Sequence, residues 1–79
     1  MHIDQDLRAA KLDKLVAAEG YGSLDELLEA VATDSVSPAI CVEPRCGFTC
    51  EMEPDQDRGF CEECRQNTVV SALVLAGLI

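Results

Sequence analysis

The spacing of the cysteines constrains the fold of this 79-residue chain more than any other feature of the sequence. Cys41 and Cys46 are separated by four residues, Cys61 and Cys64 by two, and fourteen residues lie between the two pairs. Two close cysteine pairs about a hairpin apart are the sequence form of a four-thiolate zinc site. The spacing therefore predicts one structural Zn²⁺ ion bound by these four residues.

The fifth cysteine, Cys50, is expected to be a small core residue and not a ligand. If residues 46–50 are extended, four steps of about 3.3 Å place Cys46 and Cys50 about 13 Å apart, too far to share one metal ion. An odd number of cysteines also argues against complete pairing in disulfides. The ligand set that keeps both close pairs is Cys41, Cys46, Cys61 and Cys64.

Two other chemistries use the same kind of cysteine pair. A redox-active Cys61–Cys64 pair requires a lowered thiol pKa, whereas the charges of Glu62 and Glu63 favour a higher one. An iron site of the rubredoxin type stays open as an alternative, because four thiolates in two turns hold iron as well as zinc. Four protein thiolates leave no open coordination position, so we expect no enzymatic activity.

Size and charge limit the classes of partner. A chain this short buries only about 60% of its unfolded surface and commonly relies on a metal, so we expect a single domain over residues 1–79. Fifteen acidic against six basic residues give a net charge of −9. Such a surface repels nucleic acids and anionic membranes, and it favours a basic or apolar protein partner. The acidic N-terminus has no signal-peptide pattern, so we expect a cytoplasmic location.

Residues 1–36 are predicted to form a helical hairpin. Asp4 is a suitable N-cap for a first helix over residues 4–19, and Gly20 ends that helix. Ser23 and Glu26 form a capping box at the start of the second helix. The apolar stripes of the two helices consist of Leu7, Leu12, Leu15 and Val16, and of Leu24, Leu27, Leu28 and Val31. A DNA-binding helix-turn-helix is a weaker interpretation, because the second helix carries acidic residues and no Lys or Arg.

Residues 37–65 are predicted to form a zinc ribbon. A strand over residues 47–53, a turn over residues 54–59 and a returning strand that begins with Gly59-Phe60-Cys61 would form a hairpin that brings Cys46 beside Cys61. Gly47 suits the left-handed conformation that often follows the first cysteine turn, and Arg65 replaces the usual glycine after the second.

Residues 66–79 are predicted to form a C-terminal helix, capped by Asn67 or Thr68. The segment over residues 69–79 is apolar almost all round, which is typical of a helix buried in a core. It is shorter than the roughly 20 residues that span a bilayer. We expect mostly intramolecular burial of this helix, with self-association through its uncovered face as the alternative.

Three segments resemble a group of short bacterial and phage-associated zinc-ribbon proteins. These segments are Pro38-Ala39-Ile40-Cys41, residues 53–64 (EPDQDRGFCEEC) and residues 67–77 (NTVVSALVLAG). The resemblance covers the C-terminal half closely and the helical half loosely. It implies a zinc ribbon with Cys41, Cys46, Cys61 and Cys64 in the ligand positions, and no particular activity.

The sequence as a whole therefore predicts an α+β fold, with a small four-cysteine zinc-ribbon hairpin, two N-terminal helices and one apolar C-terminal helix. The function we expect is that of an acidic interaction or accessory module for a protein partner that the sequence does not identify. The alternatives are a transcription-associated zinc-ribbon regulator, which rests on fold analogy, and an iron electron carrier.

Overall fold

The computed structural model of the protein describes residues 4–78. Its elements are α1 (Gln5–Glu19), α2 (Leu24–Val31), β1 (Ser37–Cys41), β2 (Thr49–Met52), β3 (Gly59–Cys61), β4 (Gln66–Ser71) and α3 (Ala72–Leu75). All four strands belong to one antiparallel sheet with the order β2-β1-β4-β3. The mixture of helix and sheet expected from the sequence is confirmed.

Local capping signals set the bounds of the two N-terminal helices, as predicted. The Asp4 side chain caps α1, and Gly20 ends it in the left-handed conformation with φ of 80°. The Ser23 hydroxyl accepts from the N–H of Glu26 at 3.2 Å and begins α2. The Glu26 carboxylate reaches one residue further back than a standard capping box, where it accepts from the N–H of Gly22 at 2.7 Å.

Two β-hairpins make up the sheet. β1 pairs with β2, β3 pairs with β4, and the two hairpins join through β1 and β4. The predicted hairpin between residues 47–53 and Cys61 is therefore wrong, because β2 and β3 lie at opposite edges of the sheet. The connection between them passes the end of β4, where the Ser71 N–H donates to the Gln56 carbonyl at 3.2 Å and the Ser71 hydroxyl donates to the Pro54 carbonyl.

The partner of β2 is β1, a strand that the sequence did not predict. Pro38 lies inside β1, and proline is unusual in a strand that has neighbours on both sides. It is tolerated because β4 pairs with β1 only from Ala39 onward, so Pro38 has only β2, at Glu51, opposite it. Every residue of β1 is buried.

The predicted helix over residues 66–79 is also wrong in its first half, which is strand β4. Thr68, Val69 and Val70 are β-branched and pack well on a pleated surface. Since β4 lies inside the sheet, Val69 and Val70 belong to the cores on its two faces, and an all-round apolar run then fits a strand as well as a helix. The short helix α3 follows, capped by the Ser71 hydroxyl and not by Asn67 or Thr68. The last predicted helical residue, Ile79, lies outside the described residues.

Apolar residues are buried on both faces of the sheet. On one face the helices pack against Ile40, Val42 and Val70, and the helical residues in this cluster include Leu12, Leu15, Leu27, Val31, Leu73 and Leu75. On the other face, Ala39, Met52 and Val69 cluster with the cysteines. Alternate residues of a strand point to opposite faces, which explains how β1 contributes to both clusters. Over residues 4–78, none of the helices has the length and apolar character needed to cross a membrane.

Candidate metal centre

The turns of the two hairpins bring the four predicted ligands together. Cys41 is the last residue of β1 and Cys61 the last of β3, while Cys46 and Cys64 lie in the turns that follow them. Because β1 and β4 are antiparallel neighbours, both turns lie at the same end of the sheet. The four sulfur atoms all lie within 4.8 Å of one another. The structure thus places Cys46 beside Cys61, as expected, although through two hairpins and not one.

The spacing of the sulfurs fits a tetrahedral metal ion. Cys41 Sγ lies 3.7 Å from Cys64 Sγ, and Cys46 Sγ lies 3.7 Å from Cys61 Sγ. Metal–sulfur bonds of about 2.3 Å in a tetrahedron imply sulfur–sulfur edges of about 3.8 Å. The four cysteines can therefore hold one metal ion with little movement of their side chains.

Backbone hydrogen bonds fix both turns. In the first, the Cys46 N–H donates to the Glu43 carbonyl at 3.0 Å, and the Cys41 N–H donates to the Phe48 carbonyl at 2.9 Å. In the second, the Cys64 N–H donates to Cys61 Sγ at 3.3 Å. A donor aimed at a sulfur stabilises the thiolate form, which is the form that binds metal.

The conformation after each turn differs from the sequence-based expectation at one position. Gly47 is not left-handed, whereas Arg65 has a φ of 58°. The Arg65 N–H donates to the Cys61 carbonyl at 2.7 Å and closes the second turn. A left-handed non-glycine residue costs about 1–2 kcal/mol, so the hydrogen bonds of the turn and the fold around it must offset this strain.

The neighbouring thiols shift the pKa values of Cys64 and Cys61 in opposite directions. The neighbouring Cys46 thiol, together with burial and the Cys41 thiol, raises the pKa of Cys64 well above its ordinary value. Burial favours the neutral thiol of Cys61, but the backbone N–H groups of Cys64 and Glu63, together with the Cys46 and Cys41 thiols, produce a net lowering of its pKa. Four thiolates this close repel one another strongly. The full set is therefore stable as thiolates only when a cation compensates their charge.

The centre has a buried side and a side facing solvent. Cys41 and Cys61 have no exposed surface. Cys46 and Cys64 are half-buried and line an open cleft with residues of the two turns. A metal ion bound by these cysteines would be shielded by the sheet on one side and approachable from the cleft on the other.

Cys50 does not join the centre. It lies in β2 opposite Ala39, half-buried beside the cluster that contains Met52 and Val69. Burial raises the pKa of the Cys50 thiol. These features are those of a neutral, partly buried packing residue, in line with its separation from the metal-binding group.

Two further residues contact the centre, and the sequence-based reasoning missed both. The Thr68 hydroxyl lies 3.0 Å from Cys41 Sγ. The Lys11 ammonium, on α1, donates to the carbonyls of Glu43 and Cys46. The sequence did indicate that Lys11 is buried. Lys11 lies four residues from both Leu7 and Leu15 and so falls on the apolar face of α1.

No protein-family model, curated protein or solved structure matches this chain.

Proposed function

We propose that the four cysteines bind one Zn²⁺ ion whose role is structural. The observation that carries this proposal is the sulfur cluster at the end of the sheet, with two sulfur–sulfur distances of 3.7 Å. A tetrahedral set of four thiolates is the donor set of structural zinc sites, and it leaves no coordination position for a substrate. The ion would join the turns of both hairpins and thereby close the sheet at that end.

Metal analysis of the purified chain tests this proposal. Protein prepared without chelator should contain about one zinc per chain, and removal of the metal should abolish its tertiary structure, because binding energy is folding energy in such sites. A red protein containing iron would favour the electron-carrier alternative, which uses the same ligands. Protein that contains no metal and takes up none would contradict both.

We further propose that the metal-stabilised domain acts as a protein-interaction or accessory module. The net charge of −9 favours a partner with a basic or apolar surface. Phe60 is 56% exposed on the edge strand β3, directly before the ligand Cys61. Exposed aromatic side chains are enriched where proteins bind one another.

Affinity capture with a matched surface variant tests the interaction role. The wild-type chain and a Phe60→Ser variant, both loaded with zinc, are used to capture proteins from the native cell. A partner that the wild type retains and the variant loses supports the proposal, provided that both proteins keep the same zinc content and melting transition. Equal capture by both would show that Phe60 is not part of the binding surface.

A further inference from the structure

Lys11 is buried in the fold although it carries an ammonium group. Its side chain is only 1% exposed, whereas Lys14, on the same helix, is exposed. Burying a charge is costly unless hydrogen bonds and opposite charges compensate it. The fold must therefore provide hydrogen-bond acceptors for the buried Lys11 ammonium.

The first cysteine turn supplies that compensation. The Lys11 ammonium donates to the carbonyls of Glu43 and Cys46, which lie 32 and 35 residues further along the chain. The Glu43 carbonyl also accepts the N–H of Cys46, so the ammonium binds the two carbonyls at the closing point of this turn. One lysine thereby links α1 to the backbone of a metal ligand.

The charge of Lys11 also matches the charge of the centre. Four thiolates around a divalent ion carry a net charge of about −2. An ammonium held against the turn therefore stabilises the centre most when the thiols are ionised and metal is bound.

We propose that Lys11 is a positioning residue of the metal centre, which holds the Cys41–Cys46 turn in its ligand conformation and couples the docking of α1 to metal binding. The inference rests on the proposed metal binding by the four cysteines. Residues that orient metal ligands typically change metal affinity by about ten- to a hundredfold when replaced. We expect an effect of this size for Lys11.

Two full-length variants with the same change in charge test the inference. Lys11→Met keeps an unbranched apolar side chain as far as Cε and removes the ammonium group, and Lys14→Met is the control on the exposed side of the same helix. Zinc affinity, measured by competition with a chelator, should fall about ten- to a hundredfold in Lys11→Met. It should stay within about twofold of the wild type in Lys14→Met, as for an ordinary surface substitution.

A spectroscopic measurement separates positioning from general stabilisation. Co²⁺ is added to saturation to the wild type, to Lys11→Met and to Leu75→Ala, a core variant in the helix-side cluster. The sulfur-to-cobalt charge-transfer bands should change in Lys11→Met and remain those of the wild type in Leu75→Ala. Unchanged bands in Lys11→Met, or wild-type zinc affinity, would overturn the inference.

Proton exchange in the wild-type protein provides a test that requires no variant to fold. In the zinc-loaded chain, the ¹⁵N-labelled ammonium of Lys11 should exchange its protons with water more slowly than that of Lys14, because it is buried and hydrogen-bonded. Equal exchange rates would also overturn the inference. If the wild type binds no metal at all, the proposed function fails first and is recognised before any variant is compared.

Discussion

At the scale of single residues, the five cysteines occupy different environments. Cys41 and Cys61 are buried at the ends of β1 and β3, Cys46 and Cys64 lie in turns beside an open cleft, and Cys50 lies in β2 opposite Ala39 of the neighbouring strand β1. Only the first four place their sulfurs within 4.8 Å of one another, among the residues that the structure describes. The chemical identity of the side chain is the same at all five positions, so their different roles arise from position alone.

Serine substitutions should separate these roles. Replacing Cys41, Cys46, Cys61 or Cys64 by Ser removes a thiolate ligand, so each variant should lose zinc and most of its folded structure. Cys50→Ser should keep about one zinc per chain and lose about 1 kcal/mol of stability, the typical cost of one substitution. Zinc content and urea unfolding are the measurements. Loss of zinc in Cys50→Ser with retention in Cys41→Ser would contradict this ligand assignment.

At the scale of elements, the C-terminal segment shows how one apolar run serves two structures. Its first part is β4, inside the sheet, and its second part is α3, which packs against the helix-side core through Ala72, Leu73 and Leu75. Ser71 joins the two, because its hydroxyl caps α3 and also donates to the Pro54 carbonyl. The segment is mostly buried within the chain, and its exposed apolar residue within the described range is Leu78.

Two leucines three residues apart should therefore respond very differently to truncation. Leu75 is 1% exposed and Leu78 is 62% exposed. Leu75→Ala should cost about 2–5 kcal/mol through lost burial and a residual cavity, whereas Leu78→Ala should change stability by less than about 0.5 kcal/mol. Urea unfolding in excess zinc measures both values.

An unchanged stability of Leu75→Ala would contradict this prediction. If Leu75→Ala keeps the unfolding free energy of the wild type but changes the size of the particle in solution, α3 is an interface between chains and not part of the core.

At the scale of the whole molecule, the sheet has a different cover on each face. The three helices bury one face, and the other face buries a small cluster in which cysteines replace larger apolar residues. A chain of this size has a limited apolar core, so a metal ion bound by the four cysteines would add stability on the side where the apolar cluster is smaller. Lys11 extends from the helical side to the first cysteine turn and connects the two halves.

The charge of the whole molecule predicts its behaviour toward nucleic acids. The net charge is −9, and Asp25, Glu26 and Glu29 are exposed on α2, so phosphate groups would be repelled. We expect no appreciable binding to duplex DNA at physiological salt in a fluorescence anisotropy titration. Micromolar binding that weakens with added salt would instead favour the transcription-associated alternative.

The sequence by itself determined the features that depend on neighbouring residues. Asp4, Gly20 and Ser23 fix the bounds of the N-terminal helices because a cap acts within one turn of helix. The spacing of the two cysteine pairs was likewise enough to predict which four residues come together, because a tight turn places both of its sulfurs on one side.

Only the tertiary structure decided which strands pair and which side chains reach the cysteine cluster from a distance. Strand pairing is a competition between segments far apart in the chain. The pattern of residues 47–53 and 59–61 therefore could not show that β2 pairs with β1 and β3 with β4. The run over residues 66–71 became a strand because it has neighbours on both sides, and that burial is a property of the sheet. Lys11 meets Glu43 and Cys46 only after α1 packs on the sheet, and no local pattern encodes that contact.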